Sequence, residues 1–166
     1  MKTDLQLRDS LTTLFGELVN GVPAGGGAFV LNSGDAGLLR SLDHLSAADA
    51  SRALAGGATL AAHAQHVRYG LSLMNRWARQ GGNPFADATW DLAWQTTAVD
   101  EQAWAEIRSG LRLEVEQWLE ALGTPREVTP VEQTGLIGSI VHLAYHLGAM
   151  RQIAAPARGP REGTFA

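Results

Sequence analysis

The sequence predicts an all-α protein, an up-down four-helix bundle with short extra helices between the first and second long helices. Four long segments carry apolar residues at the three- and four-residue spacing of a single helix face. No segment shows the apolar–polar alternation that is typical of a half-buried strand. Breaks rich in glycine and proline separate the four segments, so the predicted rods must bury their apolar faces on one another.

The first long helix is expected over residues 3–20, where leucine and phenylalanine recur on one side. Pro23 and three consecutive glycines then predict a loop. Residues 28–55 predict short helices rather than a long one. Within them, Ser46 followed by Asp49 is a capping-box start with Asp in place of the usual Glu.

The second and third long helices have recognisable ends. Thr59 is the expected N-cap of the second, which runs to about Arg79 before a Gly-Gly-Asn-Pro stop. The third is expected over residues 100–122 and ends at Gly123.

The fourth long helix has the best start signal in the chain. Thr129 can cap it, Pro130 fits the first turn, and Glu132 completes a capping box. It should run to about Ala154, because Pro156 cannot continue a helix.

Length and composition indicate one domain. The chain has 166 residues and 45% hydrophobic residues, which suits a single helical domain over residues 1–155 and a flexible tail over 156–166. A net charge of −4 disfavours nucleic acid as a partner. We expect a cytoplasmic protein without a membrane segment, since the sequence has neither a signal-peptide layout nor a long apolar run.

Cysteine is absent, so thiolate metal sites and protein thiol nucleophiles are excluded. A metal would need His, Asp, Glu or water as ligands, and five histidines are available. His142 and His146 are four residues apart and share one face of the fourth helix with small residues. His66 lies on an apolar arc of the second helix, and His63 is about 60° from it.

Two interpretations of these histidines compete. Buried imidazoles need partners, and a divalent cation would turn neutral ring nitrogens into ligands, with water at an open position. A single inward histidine, however, is more often a hydrogen-bonded core residue. His63 could be such a residue or a partner of a ligand, and His44 is expected on the surface.

Three segments together resemble the DinB/YfiT-like superfamily of bacterial metal-binding four-helix bundles. His142-Leu-Ala-Tyr145-His146-Leu-Gly148 is similar to that family's His-x-x-Tyr-His-x-Gly segment. Residues 42–49 followed by 58–67 resemble its leucine–serine start, acidic helix, glycine break and His-bearing second helix, and residues 99–104 its entry into helix three.

The resemblance implies metal ligands at His66, His142 and His146. His63 falls one turn before the usual ligand and could replace His66, add a fourth ligand or line the site. The metal would be Zn or Ni, with Fe, Co or Mn as alternatives. The resemblance also implies a small-molecule substrate, a homodimer and, in some members, a low-molecular-weight thiol such as bacillithiol or mycothiol.

Aromatic and basic residues supply further candidates. Tyr145 and Trp77 could form walls of the site, although core packing is the more ordinary role of tryptophan. Trp90 and Trp94 lie in the connection from the second to the third helix, which could fold over one end of the bundle and form part of a site wall. The basic residues that could bind an anionic thiol or carboxylate, if they are not simply solvated, are Arg68, Arg76 and Arg151.

Three functions follow from these observations. The first is a metal-dependent thiol S-transferase, isomerase or hydrolase, in which the metal makes a bound S–H or O–H nucleophilic. The second is a non-catalytic metal- or ligand-binding stress protein with a closed site. The third is a helical interaction module whose histidines are ordinary core residues and bind no metal.

Overall fold

A computed structural model describes residues 5–161, and its regular structure there is helical apart from one isolated β-bridge between Ala53 and Thr59. Four helices are long, three are short, and a 3₁₀ turn follows the last. In chain order they are α1 (Leu5–Asn20), α2 (Gly37–Asp43), α3 (Ala47–Ala50), α4 (Leu60–Gln80), α5 (Trp90–Ala93), α6 (Glu101–Gly123), α7 (Pro130–Ile153) and the 3₁₀ turn Ala155–Ala157.

The helices begin where the local capping signals predict. The Thr59 and Asp100 side chains accept hydrogen bonds from backbone N–H groups in the first turns of α4 and α6. Thr129 and Glu132 form a complete capping box at α7. Ser46 and Asp49 form the corresponding box at α3. The first two residues predicted for the first helix lie outside the described residues.

One hydrophobic core unites the four long helices. α1 packs against α6 and α7, and α4 packs against the same two helices. The largest fully buried side chains come from α1, α6 and α7, together with α2 and α4, and include Phe15, Trp104, Trp118, Leu143 and Met150. The predicted all-helical class is therefore confirmed for the described residues.

The direction of α6 differs from a simple up-down order. Asn75 Nδ2 donates to the backbone oxygen of Glu114 at 2.9 Å, and Arg79, one turn later, donates to Gln117 at 2.9 Å. Residue numbers increase in the same direction along both helices at this contact, so α4 and α6 are parallel. The helix direction does not alternate between α4 and α6 because the connection between them is long. Residues 81–100 can return along the whole length of α4 before α6 begins.

The returning connection lies against α4 in reverse order. Near its start, Arg76 donates to the backbone oxygen of Pro84 at 2.7 Å. Near its end, Thr59 donates to the backbone oxygen of Thr96 at 2.9 Å. The segment containing α5 therefore lies over the N-terminal half of α4, which contains His63 and His66.

The predicted flexible tail, 156–166, is packed at its start. Ala157, in the 3₁₀ turn, is 1% exposed, and Arg158 Nε donates to the backbone oxygen of Arg151 at 3.1 Å. The proline ends α7 as expected but does not end the packed structure, since the small side chain of Ala157 reaches the core. Residues 162–166 lie outside the described residues.

Among residues 5–161, no helix combines the length and the apolar character needed to cross a bilayer.

Candidate metal centre

Three histidines from two antiparallel helices meet in the core. α4 supplies His66, and α7 supplies His142 and His146 one turn apart. The Nε2 atom of His142 lies 3.1 Å from Nε2 of His66 and 3.0 Å from Nε2 of His146. One ring nitrogen of each residue lies within 4.8 Å of the other two. The structure thus brings together all three residues that the sequence selected as ligands.

Hydrogen bonding among the rings cannot account for this arrangement. An imidazole nitrogen has either a proton or one in-plane lone pair, so it makes one good hydrogen bond along that direction. The Nε2 of His142 has two short nitrogen neighbours. A single proton or lone pair on that nitrogen can therefore satisfy only one of the two contacts.

The spacing suits a cation. Two nitrogens bound at about 2.1 Å to one ion lie at most about 4.2 Å apart, and about 3.4 Å apart in a tetrahedral site. The two distances at His142, 3.1 and 3.0 Å, are within that limit and somewhat shorter than the tetrahedral value. All three donors are imidazoles, and no carboxylate in the described part of the chain joins the group.

Burial keeps the cluster uncharged. His66 is 7% exposed and His146 is 3% exposed. Burial, followed by the proximity of His142 and His63, lowers the pKa of His66 to about 4. Burial, with the other three imidazoles, lowers the pKa of His146 to about 3. At neutral pH these nitrogens therefore carry the free lone pairs that a metal requires.

His63 lies outside the group of three but touches it. Its Nδ1 atom is 2.9 Å from Nδ1 of His146, the ring nitrogen that does not face His142. Burial also lowers the pKa of His63. Of the roles left open by the sequence, this contact favours a partner that orients a ligand. His44 is exposed at the C-terminal end of α2 and does not belong to the group of three.

The walls of the site differ from those that helix periodicity suggests. Tyr145 packs edge-on to His146 with ring centroids 5.0 Å apart, but it is 70% exposed. Trp77 lies in the core beside Trp118, with centroids 6.3 Å apart, and donates to Glu132. Tyr145 therefore borders the cluster on the side of His146, whereas Trp77 packs against Trp118 instead.

Two tryptophans from the returning connection form the cover instead. The Trp94 ring stacks on His66 with centroids 4.2 Å apart and an interplanar angle of 25°. It also meets His63 edge-on at 5.3 Å. Trp90 lies 5.4 Å from His66. The only sequence signal for this cover was the pair of tryptophans in the connection, since a loop offers no periodicity from which to orient them.

Comparison with known proteins assigns no family. No family model, curated protein or solved structure matches the chain. Membership of the DinB/YfiT-like superfamily therefore stays a prediction from the sequence motifs of this chain.

Proposed function

We propose that this protein is a metal-dependent enzyme built on a DinB-like four-helix bundle, with a divalent cation bound by His66, His142 and His146. The observation that carries this proposal is the convergence of two imidazole nitrogens on the single Nε2 of His142, at 3.1 and 3.0 Å. Zn or Ni is the expected metal because imidazole suits both, with Fe, Co and Mn as alternatives.

The reaction class follows from the donor set. A cation held only by neutral imidazoles keeps its full positive charge and lowers the pKa of a coordinated O–H or S–H toward neutrality. A coordinated water or small thiol would therefore be nucleophilic, and the resemblance to the DinB/YfiT-like superfamily favours S-transfer, isomerisation or hydrolysis as the activity. An externally supplied thiol, of the bacillithiol kind, agrees with a chain that has no cysteine.

The protein side chains have separate tasks in this scheme. His63 orients the ring of His146 through the 2.9 Å contact between their Nδ1 atoms. Trp94 covers His66 and excludes water from that side of the cluster. With water excluded, the electrostatic effect of the site on a bound group is stronger than it would be in bulk solvent.

The alternative is a non-catalytic metal-binding stress protein with a closed four-ligand site. The position of His63 disfavours it, because its Nδ1 faces the outer nitrogen of His146 rather than the group of three. A cavity bordered by His66 and His142 also gives small molecules a place beside the site, as an open coordination position requires.

Elemental analysis tests the ligand assignment. We expect about one equivalent of metal in the purified protein, a loss of at least ten-fold in occupancy in His142→Ala, and full occupancy in His44→Ala. The second variant is a matched control because His44 is exposed and does not belong to the group of three. Equal occupancy in wild type and His142→Ala would overturn the assignment.

Activity assays distinguish the proposed enzyme function from the non-catalytic alternative. Conjugation of small thiols to electrophiles and hydrolysis of activated esters should depend on added metal and disappear in His142→Ala. A metal-loaded protein inert toward both substrate groups would support the non-catalytic alternative. The homodimer and the cytoplasmic location stay predictions, and light scattering of the purified protein tests the first.

A further inference from the structure

A cavity of about 440 Å³ lies directly beside the histidine cluster, between α4, α7 and the returning connection. This volume is in the range of small-molecule sites, about 300–1,000 Å³. His66 and His142 contribute to one side of it. The remaining lining is dominated by apolar side chains, namely Val67, Leu71, Met74, Phe85, Trp90 and Leu143.

Three glycines keep this cavity open. A Cβ atom at Gly138 would meet nothing within 4 Å, and one at Gly135 would meet only Met74, at 3.9 Å. At Gly70 a Cβ would come within 3.7 Å of the His142 ring. Larger residues at these positions would therefore occupy the space next to the ligands.

The lining offers no partner for a charged ligand. Its one hydroxyl, on Ser139, donates to the backbone oxygen of Leu136 at 2.7 Å and accepts from Trp118 Nε1 at 3.0 Å. Within residues 5–161, no Asp, Glu, Lys or Arg lines the cavity. Away from the metal position, an ionised carboxylate or sulfonate would lose its hydration here without gaining a counter-charge.

The arginines suggested by the sequence as anion binders are engaged elsewhere. Arg76 pairs with Asp87, and Arg151 pairs with the buried Asp35 at 2.7 Å. Arg68 lies against Gly110 of α6, outside the cavity lining. None of the three offers a positive charge at the cavity wall.

We infer that this cavity binds the body of an uncharged small-molecule substrate, aromatic or aliphatic, whose single sulfur or oxygen donor atom reaches the three-histidine site. The inference rests on the proposed function for the donor end of that substrate. The apolar character of the substrate body follows from the side chains that line the cavity and does not depend on the metal. An anionic thiol of the bacillithiol kind would therefore have to reach the metal from outside this cavity.

The first experiment tests the cavity without metal. Toluene, added to the metal-free protein, should raise the melting temperature as any ligand of the folded state does. Gly138→Leu should weaken toluene binding at least ten-fold by filling the cavity. Gly148→Leu is the matched control, since it adds the same side chain to the same helix at another position with open space around the Cβ. It should leave toluene binding unchanged.

A smaller substitution guards against a folding defect. Gly138→Ala adds only a Cβ with no neighbour within 4 Å, and it should weaken toluene binding less than Gly138→Leu does. Absence of a toluene-induced shift in wild type, or equal binding by wild type and the folded Gly138→Leu, would overturn the inference.

The second experiment tests the donor end. In the Co(II)-loaded protein, benzyl mercaptan should perturb the visible cobalt spectrum and bind at least ten-fold more tightly than 4-(mercaptomethyl)benzoate. That thiol has the same ring but carries a carboxylate too far from its sulfur to bind the same metal ion. Equal affinity for the two thiols would contradict an uncharged substrate. Failure of the protein to take up cobalt would count against the proposed function, while the toluene result would still decide whether the apolar cavity binds its ligand.

Discussion

His63 on α4 and His146 on α7 face each other through their Nδ1 atoms, which are 2.9 Å apart. When Nε2 of His146 presents its lone pair to the group of three, its ring proton must be on Nδ1 and is donated to Nδ1 of His63. His63 then holds its own proton on Nε2. The contact therefore fixes both the tautomer and the ring orientation of one ligand.

Removing His63 should weaken the metal site without abolishing it. Partners of ligating histidines typically contribute 10–100-fold in metal affinity, so we expect a loss of that size in His63→Ala. His63→Asn, which can still accept a hydrogen bond, should recover part of the affinity. Competition with a chelator of known affinity provides the measurement, and His44→Ala is the control.

A different result would reassign the residue. If His63→Ala loses metal as completely as His142→Ala, and the Asn variant recovers nothing, His63 is a ligand rather than a partner. Unchanged affinity would show that the contact with His146 contributes nothing to binding.

Acid should destabilise the metal-free protein. The pKa of His66 is lowered to about 4 and that of His146 to about 3, while unfolded histidine titrates near 6.5. Between these values the unfolded chain binds more protons than the folded one, so stability is full above about pH 6.5 and decreases toward pH 4 and below. Urea unfolding at pH 7.5, 6 and 5 should show this decrease.

The titrating groups can be identified by substitution. His146→Gln removes an imidazole and leaves a polar side chain, so the free energy of unfolding should depend less on pH between 7.5 and 5. His44→Ala should keep the wild-type dependence. A wild-type protein whose stability is constant from pH 7.5 to 5 would contradict the buried neutral cluster.

Local signals explain how much of the fold the sequence could predict. The capping box of Thr129 and Glu132 involves residues three apart, so its pattern is visible without knowledge of the fold. The placement of His142 and His146 on one inward face also depends only on helix geometry. These features were predicted correctly because each is decided within one helix.

The remaining features depend on contacts distant in sequence. The parallel direction of α4 and α6 is decided by the path of residues 81–100, and no periodic pattern describes that path. The cover formed by Trp94 follows from the same path. Likewise, the role of His63 depends on a pairing with a residue 83 positions away.

The buried ion pair between Arg151 and Asp35 should be important for stability. Their side chains are 16% and 1% exposed, and Asp35 also accepts from the backbone N–H of Gly37 at 2.8 Å. Arg151→Ala would leave a buried carboxylate without its counter-charge, which typically costs about 3–5 kcal/mol. We expect that loss in the free energy of unfolding from urea denaturation at neutral pH.

An exposed pair supplies the control. Arg52, whose side chain is 63% exposed, lies 3.7 Å from Asp49, and Arg52→Ala should cost no more than about 1 kcal/mol. Replacing both members of the buried pair, as in Asp35→Asn with Arg151→Leu, should be less harmful than Arg151→Ala alone. Similar losses in Arg151→Ala and Arg52→Ala would contradict the argument from burial.

The two tryptophans of the returning connection should have separable effects. Trp94 stacks on His66 at 4.2 Å but does not line the apolar cavity, whereas Trp90 lines it. Trp94→Ala should therefore expose the cluster and speed transfer of cobalt to EDTA several-fold, with toluene binding unchanged. Trp90→Ala should weaken toluene binding several-fold and change the cobalt transfer rate less than Trp94→Ala does. If both variants changed both measurements equally, the cover of the metal site and the wall of the cavity would be one structural unit.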